Sequence, residues 1–128
     1  MSENKILIVD DEQAIINLFK LAFSRVGYEV ASARNAEDAL ALLKKEKIHV
    51  MFLDLNMPGM DGVELCRKIK IDMPMSIIFA ITGYASIFQL GACREAGFDD
   101  YFKKPVDIKI LTGAAEDAFK KIERWKKK

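Results

Sequence analysis

Five polar residues stand at the ends of short strand-like runs. Asp10 and Asp11 follow Ile6-Leu7-Ile8-Val9, and Asp54 closes the run Val50-Met51-Phe52-Leu53. Thr82 follows the apolar stretch that ends at Ile81, and Lys104 follows Asp100-Tyr101-Phe102-Lys103. Brought to one place, these groups specify a chemistry. Three crowded carboxylates repel one another and stay ionised cheaply only beside a cation. Oxygen donors with no His or Cys nearby suit a hard ion, magnesium first and manganese in its place. Such an ion offsets the carboxylate charge and holds phosphoryl oxygens in line for attack. A carboxylate can be the nucleophile and form an aspartyl phosphate, which makes Asp54 the candidate acceptor. Lys104 supplies a mobile cation for a phosphoryl oxygen, and Thr82 a hydroxyl donor.

These residues can meet only if the intervening segments bring them together. Ile6 to Val9 is a continuous apolar run rich in β-branched residues, as expected for a strand buried on both faces. Ile15, Leu18, Phe19, Ala22, Phe23 and Val26 then recur at helical spacing, with Gly27 as a stop. Tyr28 to Ala33 reads as a second strand. Asn35 caps a helix carrying Ala39, Leu40 and Leu43. Val50 to Leu53 is a third strand, and Asp61 with Glu64 opens a helix bearing Val63, Cys66 and Ile69. Ser76 to Ile81 reads as a fourth strand, Ile87 to Ala96 as a helix stopped by Gly97, and Asp100 to Lys103 as a fifth strand. Asp107 caps a last helix with Ile108, Leu111, Ala115, Ala118, Phe119 and Ile122 on one side. Five strands alternating with five helices predict an α/β fold, an open doubly wound parallel sheet with helices on both faces. Ligands in such sheets bind beyond the carboxyl ends of the strands, where all five polar residues fall.

With 128 residues, the chain suits one domain, taken here as 1–128, with the last few residues a basic helix end or linker stub. Its 20 Lys and Arg against 19 Asp and Glu give a net charge of +1, which gives no reason to expect nucleic-acid binding. Met1 to Lys5 runs straight into the first apolar run and does not read as a signal peptide, and no apolar stretch reaches the roughly 18 residues of a membrane span. A cytoplasmic protein without membrane contact is the expectation. Cys66 and Cys93 read as buried, reduced thiols. His49 lies at the start of the third strand, away from the acidic edge, and reads as structural or exposed. The C-terminal lysines and Arg124 suit the negative end of a helix dipole.

The motifs Ile6-Leu7-Ile8-Val9-Asp10-Asp11, Leu53-Asp54-Leu55-Asn56-Met57-Pro58-Gly59-Met60-Asp61-Gly62, Ile81-Thr82-Gly83-Tyr84 and Tyr101-Phe102-Lys103-Lys104-Pro105 together resemble the receiver domains of two-component response regulators. The resemblance covers nearly the whole chain. It implies a flavodoxin-like sheet of order 2-1-3-4-5. It implies Asp54 as phosphoacceptor, with Asp11, Asp54 and the backbone carbonyl of Asn56 as magnesium ligands and Asp10 completing the pocket. Lys104 would pair with the phosphoryl group or, without it, with Asp54. Thr82 and the aromatic Tyr101 would form the switch, and the Lys104-Pro105 bond would be cis. Asn56 and Tyr84 would tune dephosphorylation, the bulky Tyr84 slowing it relative to a Tyr84→Glu variant. Ile87 and Phe88 would be a contact patch.

The implied function is a phosphorylation-controlled signalling switch rather than an enzyme acting on other substrates. Its donor would be a histidine kinase or phosphotransfer protein. Its output would be a changed surface around the fourth and fifth helices, read by a downstream protein, an attached output domain or a second copy in a phosphorylation-dependent homodimer. Two alternatives stand beside it. A pseudo-receiver that only binds would be expected to lack one of the acidic, Thr or Lys positions. A phosphohydrolase of the haloacid-dehalogenase type would carry an acid two places after the nucleophile, where this chain has Asn56.

Overall fold

Strands buried on both faces need helices above and below, and the chain supplies them in alternation. In the computed structural model, which describes residues 4–83 and 87–127 and the side chains of all of these except 87 and 88, the order is β1 Lys5–Val9, α1 Gln13–Arg25, β2 Glu29–Ala33, α2 Ala36–Lys45, β3 Val50–Asp54, α3 Gly62–Asp72, β4 Ile77–Thr82, α4 Ile87–Ala96, β5 Asp100–Lys103 and α5 Ile108–Lys126. All neighbouring strands are parallel, in the order β2-β1-β3-β4-β5. The flavodoxin-like order implied by the resemblance is the one observed.

Because strand side chains alternate, the sheet divides the interior into two cores. Ile6, Ile8, Phe52 and Phe79 face α1 and α5, where they meet Ile16, Phe19, Phe23, Leu111 and Ala115. Leu7, Val9, Met51, Leu53 and Ile78 face α2, α3 and α4, against Ala36, Leu65, Cys66 and Cys93. The first core holds a chain of rings that includes Phe52 and Phe79 at 4.9 Å between centroids and Phe79 and Phe102 at 5.7 Å. Both cysteines are buried and reduced, as expected.

Helix starts follow the capping residues. Asn35, Asp61 and Asp107 each accept a backbone N–H of the first turn. Gly27 and Gly97 follow α1 and α4 with positive φ, the conformation that a glycine stop supplies. Three details differ from expectation. Leu18 and Val26 are exposed, and the buried stripe of α1 is Ile16, Phe19 and Phe23. Strand β2 starts at Glu29, because Tyr28 N–H is used by the Phe23 carbonyl in closing α1. Strand β4 starts at Ile77 and reaches Thr82, because both the N–H and the hydroxyl of Ser76 donate to the Met73 carbonyl in a turn. Among the described residues no helix is long and apolar enough to cross a membrane.

Candidate functional site

The carboxyl edge of the three central strands gathers the polar residues. Asp10 directly follows β1, and its N–H continues the ladder by donating to Ala33 O at 3.1 Å. Its side chain is buried, and Oδ1 accepts the Glu12 N–H at 2.9 Å, which fixes the carboxylate inward. Arg34 donates to the Asp11 carbonyl at 3.0 Å and clamps the turn from the neighbouring strand. Asp54, the last residue of β3, is only 4% exposed, and its Oδ1 accepts the Asn56 N–H at 3.2 Å. Behind it, a Cβ at Gly62 would lie 2.3 Å from the Asp54 carbonyl oxygen, so only glycine lets α3 begin so close to the site. Thr82 ends β4 fully buried, and its hydroxyl accepts the Asn56 side-chain amide at 3.2 Å. Lys104 N–H donates to Thr82 O at 2.7 Å, and the peptide bond to Pro105 is cis.

Lys104 Nζ lies 3.2 Å from Asp10, 3.5 Å from Glu12 and 3.9 Å from Asp54. The ammonium thus leans toward Asp10 rather than pairing chiefly with Asp54. Burial pushes the Asp54 carboxyl up to about 6; the Asn56 N–H and Lys104 oppose this, and the nearby Asp10 and Asp11 add to it. Burial also raises Asp10, against the Glu12 N–H and Lys104. For Lys104, burial pulls downward, but Asp54 and Asp10 outweigh it and the net shift is up. Asp10, Asp11 and Glu12 each present one carboxylate oxygen, all within 4.8 Å of one another. Oxygen-only donors beside a buried carboxyl held above its ordinary range fit a hard divalent cation, which would relieve that crowding.

Asp10, Asp11, Asp54, Asn56, Thr82 and Lys104 therefore come together. Tyr101 does not join them: it is 39% exposed on the edge strand β5, beside Leu90 and Arg94. Tyr84 and the side chains of Ile87 and Phe88 lie outside the described residues. Sequence reasoning missed two participants. Glu12 adds a third rim carboxylate and contacts Lys104; its place directly after Asp10-Asp11 was the available signal. The Asn56 amide bond to Thr82 had none, since it depends on the pairing of β3 with β4.

The family model for the response regulator receiver domain matches residues 6–116. The chain belongs to this family. The receiver is 34% identical over 116 residues to sporulation initiation phosphotransferase F of Bacillus subtilis, covering 91% of this chain and 94% of that one. It is 37% identical over 119 residues to the alkaline phosphatase synthesis transcriptional regulatory protein PhoP of the same species, covering 93% of this chain. The receiver spans 50% of PhoP and about half (51% and 52%) of two further regulators that it matches. It is also similar to the crystal structure of a CheY-like response regulator receiver domain protein from Methanospirillum hungatei, with TM-score 0.92 and 33% identity, covering 96% of this chain and 98% of that one. It is thus a receiver of two-component signalling with the flavodoxin-like fold, in a family typically devoted to signalling rather than to enzymatic turnover.

Proposed function

We propose that this receiver, as one unit over residues 1–128, takes a phosphoryl group on Asp54 and changes its surface in response. The observation that carries this reading is the buried carboxylate of Asp54 at the end of β3, with the Lys104 ammonium at 3.9 Å and a second buried carboxylate, Asp10, bound to that same ammonium at 3.2 Å. Asp10, Asp11, Asp54 and the Asn56 carbonyl would hold magnesium or manganese. Bound there, the ion supplies charge neutralisation and orients phosphoryl oxygens. An Asp54 carboxylate oxygen attacks phosphorus, the new P–O bond forms, and the P–N bond of a donor phosphohistidine breaks with its electron pair returning to the imidazole. Lys104 moves from Asp10 to a phosphoryl oxygen. The Thr82 hydroxyl turns to donate to another, giving up the Asn56 amide.

The donor in this reading is a histidine kinase or phosphotransfer protein. Support comes from the Bacillus relative, which is named a phosphotransferase. Tyr101, exposed beside α4, is free to follow Thr82 inward. The altered face around α4, β5 and α5 then acts on a downstream protein, an attached output domain or a second copy. The regulators of which this receiver spans half support an attached output. Moving the domain from mostly off to mostly on requires a bias of about 5 kcal/mol.

Incubation with acetyl phosphate and magnesium, read by intact mass, tests the proposal. A phosphoryl adduct is expected in the parent and absent in Asp54→Ala. No adduct with acetyl phosphate, phosphoramidate or a phosphorylated kinase domain would refute it.

A further inference from the structure

The amino ends of the strands, opposite Asp54, carry a feature that phosphoryl chemistry does not use. Between the end of α2 and the loop that joins α3 to β4 lies an open groove of about 470 Å³. That volume falls in the range of ordinary binding sites. Leu43, Ile69, Met73 and Met75 give it an apolar floor and wall, and Lys44, Lys47 and His49 stand on its rim. Asp72 is the one acid among its described lining residues. His49 precedes β3 and Asp54 ends it, so the groove lies roughly 16 Å along the strand from the acidic pocket.

Two observations separate this groove from an ordinary hollow. Its methionine wall is fixed. Ser76 N–H and Oγ both donate to Met73 O, at 3.0 and 2.7 Å, Lys70 Nζ donates to Ser76 O at 2.6 Å, and Ile77 N–H donates to His49 O at 2.7 Å. A pinned turn therefore holds Met75 outward with 56% of its surface exposed. The polarizable, unbranched methionine side chain adapts to varied apolar partners. The cations are also not all accounted for by helix polarity. Lys44 and Lys45 lie in the last turn of α2 and offset its dipole, but Lys47 lies beyond that helix. Burial and the charges of Lys126 and Lys47 hold the His49 imidazole below its ordinary value, consistent with a positive field at this end.

We propose that this groove docks an acidic amphipathic segment of a partner protein, its apolar side chains seated against Met73, Met75 and Leu43 and its carboxylates against Lys44 and Lys47. Charge complementarity selects the acidic occupant, and the apolar floor selects an amphipathic one over a simple anion. The contact would act independently of the phosphoryl pocket and give the receiver a second attachment point.

A synthetic peptide of about 14 residues, with Leu at helical spacing and Glu elsewhere, titrated into the isotopically labelled full chain tests this by amide chemical shifts. Saturable shifts are expected at residues 43–49 and 73–76. Binding should weaken at least about tenfold in a Lys44→Glu/Lys47→Glu variant and in Met75→Glu. The proposal is overturned by shifts located elsewhere or by equal binding of a peptide with Lys in place of Glu. It is also overturned by binding to phosphatidylserine vesicles without binding to the peptide, or by a concentration-dependent dimer that covers the groove without peptide. The variants should still form the acetyl phosphate adduct on Asp54. That control shows them folded and keeps the fate of this proposal separate from that of the phosphoryl reading.

Discussion

Replacing Asp54 with Asn should make the protein more stable while abolishing the proposed phosphoryl uptake. The ionised carboxylate at β3 is buried to 4% exposure and faces two further acids, and its carboxyl is pushed from 3.8 to about 6. At about pH 7.5 the folded state therefore carries a charge that costs about 3 kcal/mol relative to the unfolded chain. Asparagine keeps the shape and can still accept the Asn56 N–H, but has no charge to desolvate. A gain of about 2–3 kcal/mol corresponds to a rise of roughly 6–12 °C in Tm for a chain of this size. The pH dependence has a definite sign. A carboxyl raised in the fold costs most above its folded value, and this cost shrinks as pH falls from about 6 toward 3.8. Parent and variant should therefore differ fully near neutrality and converge near about pH 4. Melting curves in chelator at low salt, from about pH 4 to 8, measure this. Magnesium should then raise the Tm of the parent more than that of the variant. A variant no more stable than the parent at about pH 7.5, or a gap unchanged down to about pH 4, would refute the electrostatic reasoning.

Lys104→Ala should cost about 2 kcal/mol near neutral pH by leaving Asp10 and Asp54 without their counter-charge, and the loss should shrink on adding magnesium. Chemical denaturation in chelator and in magnesium measures both. Gly62→Ala should cost about 3 kcal/mol and slow phosphoryl uptake, since the added methyl meets the Asp54 and Leu55 backbone; denaturation midpoints and the rate of adduct formation report on it. Asn35→Ala should cost about 1 kcal/mol by freeing the Asp38 N–H, with no change in adduct formation.

Most of the fold was legible because the strands lie inside it. Ile6 to Val9 is apolar on both faces since Ile6 and Ile8 meet one core and Leu7 and Val9 the other. Helical faces were read less well. Leu18 sits one position from Phe19, about 100° around α1, and its hydrophobicity alone cannot reveal that the stripe runs through Ile16 instead. The site's residues were legible because each closes a strand, and parallel strands bring their ends together. What the sequence left hidden were relations across strands: the Asn56 amide on Thr82, the lean of Lys104 toward Asp10, and the close approach of Gly62 to Asp54.

The two cores also differ in kind. All ring contacts among the described residues lie on the α1 and α5 side, running from Phe19 and Phe23 through Phe52 and Phe79 to Phe102, with Tyr28 packed on Phe119. Flat rings fit only in a few mutual orientations. The opposite side is filled almost entirely by aliphatic, Met and Cys side chains, with Phe98 the one ring among its described buried residues. The sheet therefore has a back held by mutually oriented rings and a front packed without ring-to-ring contacts among the described residues. A substitution of one ring for another shape on the back must be accommodated by several neighbouring rings at once, whereas on the front it meets mostly single aliphatic chains.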